Sequence, residues 1–405
     1  MSVRAQHPAW WIAWVLAVLW AGMPLYPAFI ALLPIAAPGY SLLAPPVALG
    51  VLLIVAGLTA LLAVELWRTQ GRALLRDRLV RAMLVYLASL AFATCLGLVP
   101  IVGALFFAIT LCTCIGTCAV RCWGADARIA QAMASSLLLS SGVGSLVALA
   151  CWILRVPAGL FTVGNGRAIG SFVVPGELAG YLGMLLPYSV GVACWGRSSS
   201  LRMGAWIVAG LNLAALLATF SRAGLAGLLL ATVVALVALR SRWLPWVGVG
   251  LLVLLSQLRQ LINLHHNPAE NFNRFSIWQA AWRAGELFPL WGVGPGGFAR
   301  IYPLVKRPDG EPLAFHAHNF LLTTWVESGI LGLLALLFLW WTFGQMVIER
   351  YRHASPRARG MAVALLIGFT ATWLQSMLDV VQILFLGLWI PFMGMTLVAL
   401  EEGAA

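Results

Sequence analysis

A histidine and a glutamate stand nine residues apart at the start of a long apolar run, at His318 and Glu327. Hydrocarbon is a costly environment for ionisable groups, since insertion scales assign roughly 2.5–3.5 kcal/mol to a charge at the centre of a membrane helix. Groups kept in such places usually face the protein interior or a water-filled cavity. The segment from His318 to Gly329 is therefore the first candidate for chemistry.

His318 has the properties of a general base. Imidazole exchanges protons near neutral pH, and the neighbouring Asn319 can hydrogen-bond a polar substrate. Glu327 lies about 13 Å further along a straight helix, too far for direct contact with His318. We therefore predict that Glu327 contacts another partner, such as an arginine, or fixes helix packing. The structural alternative for His318 is capping of the helix.

Basic residues fall on the same predicted side as His318. Arginine makes up 24 of the 25 basic residues of the chain, and its planar guanidinium binds phosphate oxygens through two parallel hydrogen bonds. The pattern predicts an anionic ligand. The alternatives are a solvated loop and, for the arginine at the start of a helix, snorkelling to the membrane interface. The predicted set is Arg222, Arg274, Arg283, Arg300 and Lys306.

Two carboxylates, Glu177 and Asp379, fall at predicted helix ends on that side. Asp379 could orient a cation or His318, and either carboxylate could equally be a solvated helix-end charge. Catalytic zinc usually takes three protein ligands, and no Asp-x-Asp pair lies on this side, so we predict neither a metal nor a cofactor. The glycine-rich segment 292–297 follows no predicted strand, so we interpret it as a turn.

The composition places these residues in a membrane. Of 405 residues, 62% are hydrophobic and 9% are charged, whereas soluble proteins carry about 25% charged residues. A spanning helix needs about 20 mostly apolar residues. We predict a single all-α, polytopic membrane domain over residues 1–405. The predicted spans, about twelve, are 10–33, 44–67, 79–99, 101–120, 129–153, 179–196, 203–220, 223–239, 244–262, 318–342, 361–378 and 382–400.

The net charge of +12 indicates membrane topology rather than nucleic-acid binding, because cytoplasmic loops collect Lys and Arg. With twelve spans, sixteen of the 25 basic residues fall on one side, which predicts that both termini are cytoplasmic. The two long loops, 155–178 and 263–317, then lie on the opposite side. The second loop is the largest element outside the spans and carries most of the candidate basic residues.

Residues 275–288 of this second loop have an amphipathic pattern. Trp278, Ala281, Trp282 and Leu287 are spaced for one helical face. The pattern predicts a helix that lies along the membrane interface.

Four sequence motifs follow one another over about residues 170–330. They are Gly170-Ser171-Phe172 to Tyr181, Phe220-Ser221-Arg222-Ala223-Gly224, Asn273-Arg274-Phe275-Ser276-Ile277-Trp278 to Pro289-Leu290-Trp291-Gly292-Val293-Gly294, and His318-Asn319 with Leu322, Glu327 and Gly329. The set, in this order, resembles the O-antigen ligase family, which is closely related to the O-antigen polymerases. The predicted twelve-span plan with a large late periplasmic loop is similar to that family too.

The resemblance implies a bacterial inner-membrane glycosyltransferase with its active site facing the periplasm. Such an enzyme transfers O-antigen from undecaprenyl pyrophosphate to lipid A–core oligosaccharide, and we expect it to work without metal and with inversion of the anomeric carbon. The family's functional arginines map onto Arg222 and Arg274, and its histidine maps onto His318. Arg283 or Arg300 could take the role of Arg274. We expect a monomer whose partners are the two lipid-linked substrates and membrane lipids, not nucleic acid.

Two other functions remain open from the sequence. An O-antigen polymerase would use the same donor with a second lipid-linked glycan as acceptor. A secondary transporter of an anionic solute would place charged residues at the bilayer midplane between two related halves. The clustering of polar residues at one interface favours the transferase over the transporter.

Overall fold

The regular elements of the described part of the chain are helices, as the composition predicted. A computed structural model describes residues 10–25, 45–156, 166–172, 174–239, 269–379, 381, 384 and 387–401. In chain order the helices are α1 (Trp10–Ala21), α2 (Pro45–Leu74), α3 (Arg78–Leu96), α4 (Pro100–Trp123), α5 (Ala127–Ile153), α6 (Pro175–Trp195), α7 (Ser199–Ala218), α8 (Arg222–Ala238), α9 (Ala269–Leu287), α10 (Phe298–Val305), α11 (Phe320–Tyr351), α12 (Pro356–Ser376) and α13 (Ile390–Glu401).

Among the described residues, seven helices are long and apolar enough to cross a membrane, namely α2 to α7 and α11. Three shorter apolar helices, α1, α8 and α13, accompany them. The chain is therefore a multi-pass membrane protein. The predicted total of about twelve spans stays a prediction, because the predicted span 244–262 lies outside the described residues.

Some helix ends lie next to proline or glycine residues within the predicted spans. Helix α1 ends at Ala21, before Gly22 and Pro24, within the predicted span 10–33, and residues 26–33 of that span lie outside the described residues. A proline inside a helix removes a backbone donor and clashes with the preceding turn. Helix α13 begins at Ile390, after a turn in which Gly387 has φ of +71°. Residues 382, 383, 385 and 386 of the predicted span 382–400 lie outside the described residues. The division between α3 and α4 is confirmed.

Ion pairs join helix ends on one side of the bundle. Arg121, at the end of α4, donates to Asp77 at 3.0 Å and to Glu401 at 2.9 Å. Arg350 donates to the same Glu401 at 2.7 Å. These contacts tie α3, α4, α11 and α13 together, and this side is called the Arg121 end below.

Close packing of α12 against α6 and α8 builds the opposite side. A Cβ placed on Gly224 of α8 would lie 2.7 Å from the Ala179 side chain of α6, and one on Gly227 would lie 2.6 Å from the Ala371 carbonyl of α12. Small residues at such interfaces let membrane helices approach closely. The starts of α6 and α8 are consequently held against the end of α12. This side, where α11 also begins, is called the His318 end.

Helix α11 is interrupted near its start. Gly329 has φ of +65° and ψ of −173°, which breaks the helical hydrogen-bond pattern. The glycine-rich turn and the residues just before it supply hydrogen-bond partners at the break. Val293 N–H donates to the Val326 carbonyl at 2.8 Å, and Ile330 N–H donates to the Pro289 carbonyl at 2.8 Å. The interpretation of segment 292–297 as a turn is confirmed, and its role is to complete a broken membrane helix.

Helix α9 confirms the predicted helix in the second loop but corrects its contact face. Ile277, Ala280 and Ala284 are buried against the protein, whereas Trp282 is 55% exposed and Leu287 is 62% exposed. The predicted face combined the two groups because large apolar side chains were assumed to mark a single face. Small alanines make the close contact instead.

Candidate active site

Asp379 joins two of the predicted catalytic residues. Its Oδ1 lies 2.9 Å from Nδ1 of His318, and its Oδ2 lies 3.7 Å from Nη2 of Arg274. The three side chains are 22–30% exposed, so a ligand can reach them while they stay partly shielded from water. Asp379 was predicted to orient either a cation or His318, and in the structure it contacts both a cation, Arg274, and His318.

The electrostatics keep Asp379 ionised. Burial raises the pKa of Asp379, but the hydrogen bond from His318 and the charges of His318 and Arg274 outweigh it and hold the pKa below its ordinary value. An anionic carboxylate next to Nδ1 favours the tautomer in which Nδ1 carries the proton. Nε2 of His318 is then the nitrogen that can accept a proton.

The backbone around His318 is held in an unusual conformation. His318 has φ of +49°, in the left-handed region that residues other than glycine seldom adopt. Its N–H donates to Nδ1 of His316 at 3.3 Å, and the Ala317 N–H donates to Oγ1 of Thr323 at 3.2 Å. Strained backbone of this kind persists where the surroundings over-determine it, and it clusters at functional sites.

Asn319, rather than His318, caps α11. Its Oδ1 accepts the Leu322 N–H at 3.0 Å, and its Nδ2 donates to the Met377 carbonyl at 3.0 Å. The capping alternative considered for His318 therefore belongs to its neighbour. Both ends of the Asn319 amide tie the start of α11 to the end of α12, which holds His318 beside Asp379.

Gln375 connects the starts of α6 and α8 to the same place. Its Nε2 donates to the Gly176 carbonyl at 2.6 Å, and a Cβ on Gly224 would lie 3.2 Å from its Oε1. Asp379 follows Gln375 by one turn, and its N–H donates to the Gln375 carbonyl at 3.0 Å. Arg222, the first residue of α8, and Glu177, in the first turn of α6, consequently lie close to the end of α12.

Three helix N-termini thus converge at the His318 end, those of α6, α8 and α11. Each N-terminus carries a partial positive charge and N–H groups with no partner in the helix. Such ends are ready-made binding sites for anions. Together with Arg222 and Arg274, they make this end electrostatically suited to a phosphate-containing ligand.

Three other predicted binding residues, Glu327, Arg283 and Lys306, contact the segment 298–310. Glu327 is buried, and its Oε1 accepts the Phe298 N–H at 3.4 Å at the start of α10. Arg283 donates to the Val305 carbonyl and Lys306 donates to the Gly310 carbonyl, each at 3.3 Å. These contacts shape the segment 298–310, and Arg300 is exposed on α10. Of the two roles considered for Glu327, the packing role agrees with its contacts.

His316 lies beside His318 but is held neutral. Removal from water, with added repulsion from His318, lowers the pKa of His316 to about 3. Their rings are 4.5 Å apart. No group of three or more metal-ligating side chains occurs among the described residues.

The sequence did not lead us to Gln375 or to the hydrogen bond between its side chain and the Gly176 carbonyl. A signal for Gln375 was present, because a glutamine four residues before Asp379 lies on the same helical side within an apolar span. The contact with Gly176 is 199 residues distant in sequence and leaves no local pattern.

Comparison with known proteins finds one family model that matches part of the chain. The family model described as O-antigen ligase matches residues 207–337, which include Arg222, Arg274 and His318 but not Glu177 or Asp379. No curated protein matches the chain. Over residues 207–337, about a third of its length, the chain is therefore similar to the O-antigen ligase family.

Proposed function

We propose that this protein transfers O-antigen from undecaprenyl pyrophosphate to lipid A–core oligosaccharide. The single observation that carries the proposal is the contact of His318 and Arg274 with one carboxylate, Asp379, where three helix N-termini meet. The arrangement supplies a base and a cationic surface within one partly buried site. Those are the two requirements of glycosyl transfer from a lipid diphosphate.

Arg222 and Arg274 bind the pyrophosphate of the donor. As the bond between the anomeric carbon and the pyrophosphate oxygen breaks, negative charge grows on that oxygen. Preorganised guanidinium groups and helix N-termini stabilise this charge, and the loss of one such donor typically costs about 10²–10³ in rate. The cations of the site thereby do the work that a divalent metal does in other transferases, which supports a metal-independent reaction.

His318 activates the acceptor. Its Nε2 takes the proton from the acceptor hydroxyl while that oxygen forms the new bond to the anomeric carbon. The donor pyrophosphate leaves from the opposite face, so the anomeric carbon is inverted. Asp379 holds the ring in position and stabilises the imidazolium that forms, and general base catalysis of this kind contributes roughly 10²–10⁴ in rate.

The site faces the periplasm of the inner membrane, and the Arg121 end faces the cytoplasm. Support comes from the positive-inside bias, since Arg78, Arg121 and Arg350 gather at the Arg121 end. The donor's isoprenoid chain lies in the bilayer beside a monomeric enzyme, with its pyrophosphate at the level of Arg222.

A ligation assay with purified protein tests the proposal. The protein in detergent receives lipid-linked O-antigen and lipid A–core in the presence of EDTA, and glycosylated lipid A–core is measured. We expect full activity in EDTA and loss of product with His318→Ala. Loss of activity in EDTA would contradict the metal-free mechanism. Full activity of His318→Ala would show that His318 is not the general base.

The same assay separates ligase from polymerase, because the described site serves either acceptor. Omitting lipid A–core leaves only lipid-linked glycan as acceptor. We expect no product under that condition. Lengthened lipid-linked chains would assign the protein as an O-antigen polymerase.

A further inference from the structure

A cavity of about 510 Å³ lies at the Arg121 end, on the opposite side of the bundle from His318. It is bounded by the ends of α4, α6 and α13 and by the starts of α5, α7 and α12. Ligand pockets in proteins typically measure about 300–1,000 Å³. The cavity is therefore large enough for a ligand head group and part of an attached chain.

The mouth of this cavity is cationic. Arg197 and Arg357 line it, and no carboxylate occurs among the described lining residues. Ser198 and Ser355 also line it and are the N-caps of α7 and α12, so two helix N-termini add partial positive charge. Nε of Arg357 donates to the Trp195 carbonyl at 2.7 Å, which fixes the guanidinium at the cavity.

The interior of the cavity is apolar. Tyr188, Val192, Leu365 and Val398 line it and are buried. Trp195 borders it and is 37% exposed, as is typical of tryptophans at the level of lipid head groups. A ligand that matches both parts carries an anionic group and an apolar chain.

We propose that this cavity binds an anionic glycerophospholipid, with its phosphate between Arg197 and Arg357 and one acyl chain beside Tyr188 and Leu365. Basic pockets between membrane helices on the cytoplasmic side are known to bind anionic head groups. Helix α12 has 21 residues and separates this site from His318 by about 30 Å. The lipid site is thus separate from the transferase site and does not depend on the proposed reaction.

Native mass spectrometry of the full-length protein, stripped of lipid in mild detergent, tests the proposal. Dioleoyl phosphatidylglycerol, dioleoyl phosphatidylcholine and inorganic phosphate are titrated separately. We expect saturable binding of phosphatidylglycerol, at least about tenfold tighter than that of phosphatidylcholine, because two arginines each contribute attraction to an anionic head group. The double variant Arg197→Gln, Arg357→Gln should lose this preference.

Two further variants make the result specific. Arg352→Gln removes an exposed charge at the same end without touching the cavity and should bind as the wild type does. Ala134→Phe fills the cavity without a change of charge and should also weaken binding. Equal binding of both lipids, unchanged binding by the double variant, or equal occupancy by inorganic phosphate alone would each overturn the lipid assignment.

Discussion

The two ends of the bundle use arginine in different ways. At the Arg121 end, Arg78, Arg121 and Arg350 each donate to a carboxylate at 2.7–3.0 Å, which closes the contacts between helix ends. At the His318 end, Arg274 approaches Asp379 only to 3.7 Å, beyond hydrogen-bond distance, and shares it with a histidine.

The difference separates stability from chemistry. A guanidinium that is hydrogen-bonded to carboxylates has few donors left for a ligand, whereas one held at longer range keeps its donors available while its charge stays positioned. Loss of Arg78, Arg121 or Arg350 should therefore lower stability and spare turnover. Loss of Arg274 should lower turnover with a smaller effect on stability.

The largest expected effect follows replacement of the base. His318→Ala should lower transferase activity by about 10²–10⁴-fold, because the acceptor hydroxyl loses its proton acceptor. His353→Ala, an exposed histidine at the Arg121 end, is the matched control. Similar activities of the two variants would contradict the placement of the active site at the His318 end.

Arginine geometry is tested next. Arg222→Lys and Arg274→Lys keep the charge but lose the planar pair of donors, and each should lower turnover by about 10²–10³-fold. The initial rate of ligation at saturating donor measures this. Near-normal turnover of Arg274→Lys with a strong loss for Arg283→Lys would move the second arginine of the site to Arg283.

The break in α11 should be sensitive to any side chain. Gly329→Ala places a Cβ against the Leu290 carbonyl and requires a left-handed backbone, so we expect destabilisation of about 2–4 kcal/mol. Gly344→Ala on the same helix has no atom within 4 Å of the added Cβ and is the matched control. Thermal denaturation in detergent compares them, and equal melting temperatures would show that the break tolerates a side chain.

Loss of an ion pair at the Arg121 end should have a smaller effect. Arg121→Gln removes hydrogen bonds to Asp77 and Glu401 from a side chain that is 8% exposed, and should cost about 1–3 kcal/mol. Turnover per folded molecule should stay normal. A loss of turnover at full stability would show that the two ends are coupled.

The pH dependence of stability gives the smallest effect. Because the pKa of Asp379 is lowered in the folded protein, its ionised form stabilises the fold above the ordinary aspartate pKa of about 3.9, and this stabilisation disappears as the pH falls through the folded value. The melting temperature of Asp379→Asn should therefore lie below that of the wild type by a constant amount from pH 8 to about pH 5, and the difference should shrink towards pH 3. Asp309→Asn, which breaks an exposed ion pair, should show little difference at any pH.

Much of the architecture could be predicted from the sequence, because long apolar runs identify membrane helices. The break at Gly329 was missed because the apolar run continues through it, and the compensating hydrogen bonds come from residues 33 or 41 positions earlier. The contact face of α9 was misassigned because burial of small alanines depends on what packs against them.

The site residues were predicted one at a time and could not be assembled. His318 and Asp379 are 61 residues apart in sequence, and only the packing of α11 on α12 brings them to 2.9 Å. Glu327 lies in α11 and His318 lies just before it, yet the two side chains have different partners, because Glu327 accepts the Phe298 N–H at the end of the glycine-rich turn. Residue type indicates chemistry, whereas tertiary contacts decide which groups act together.

The left-handed backbone of His318 determines how an inactive form should be made. Asparagine adopts that conformation more readily than alanine does, because its short polar side chain bonds locally. An asparagine at this position would remove the imidazole while preserving the turn into α11. Such a protein, folded but unable to take a proton, is the form best suited to trapping a donor lipid for structure determination.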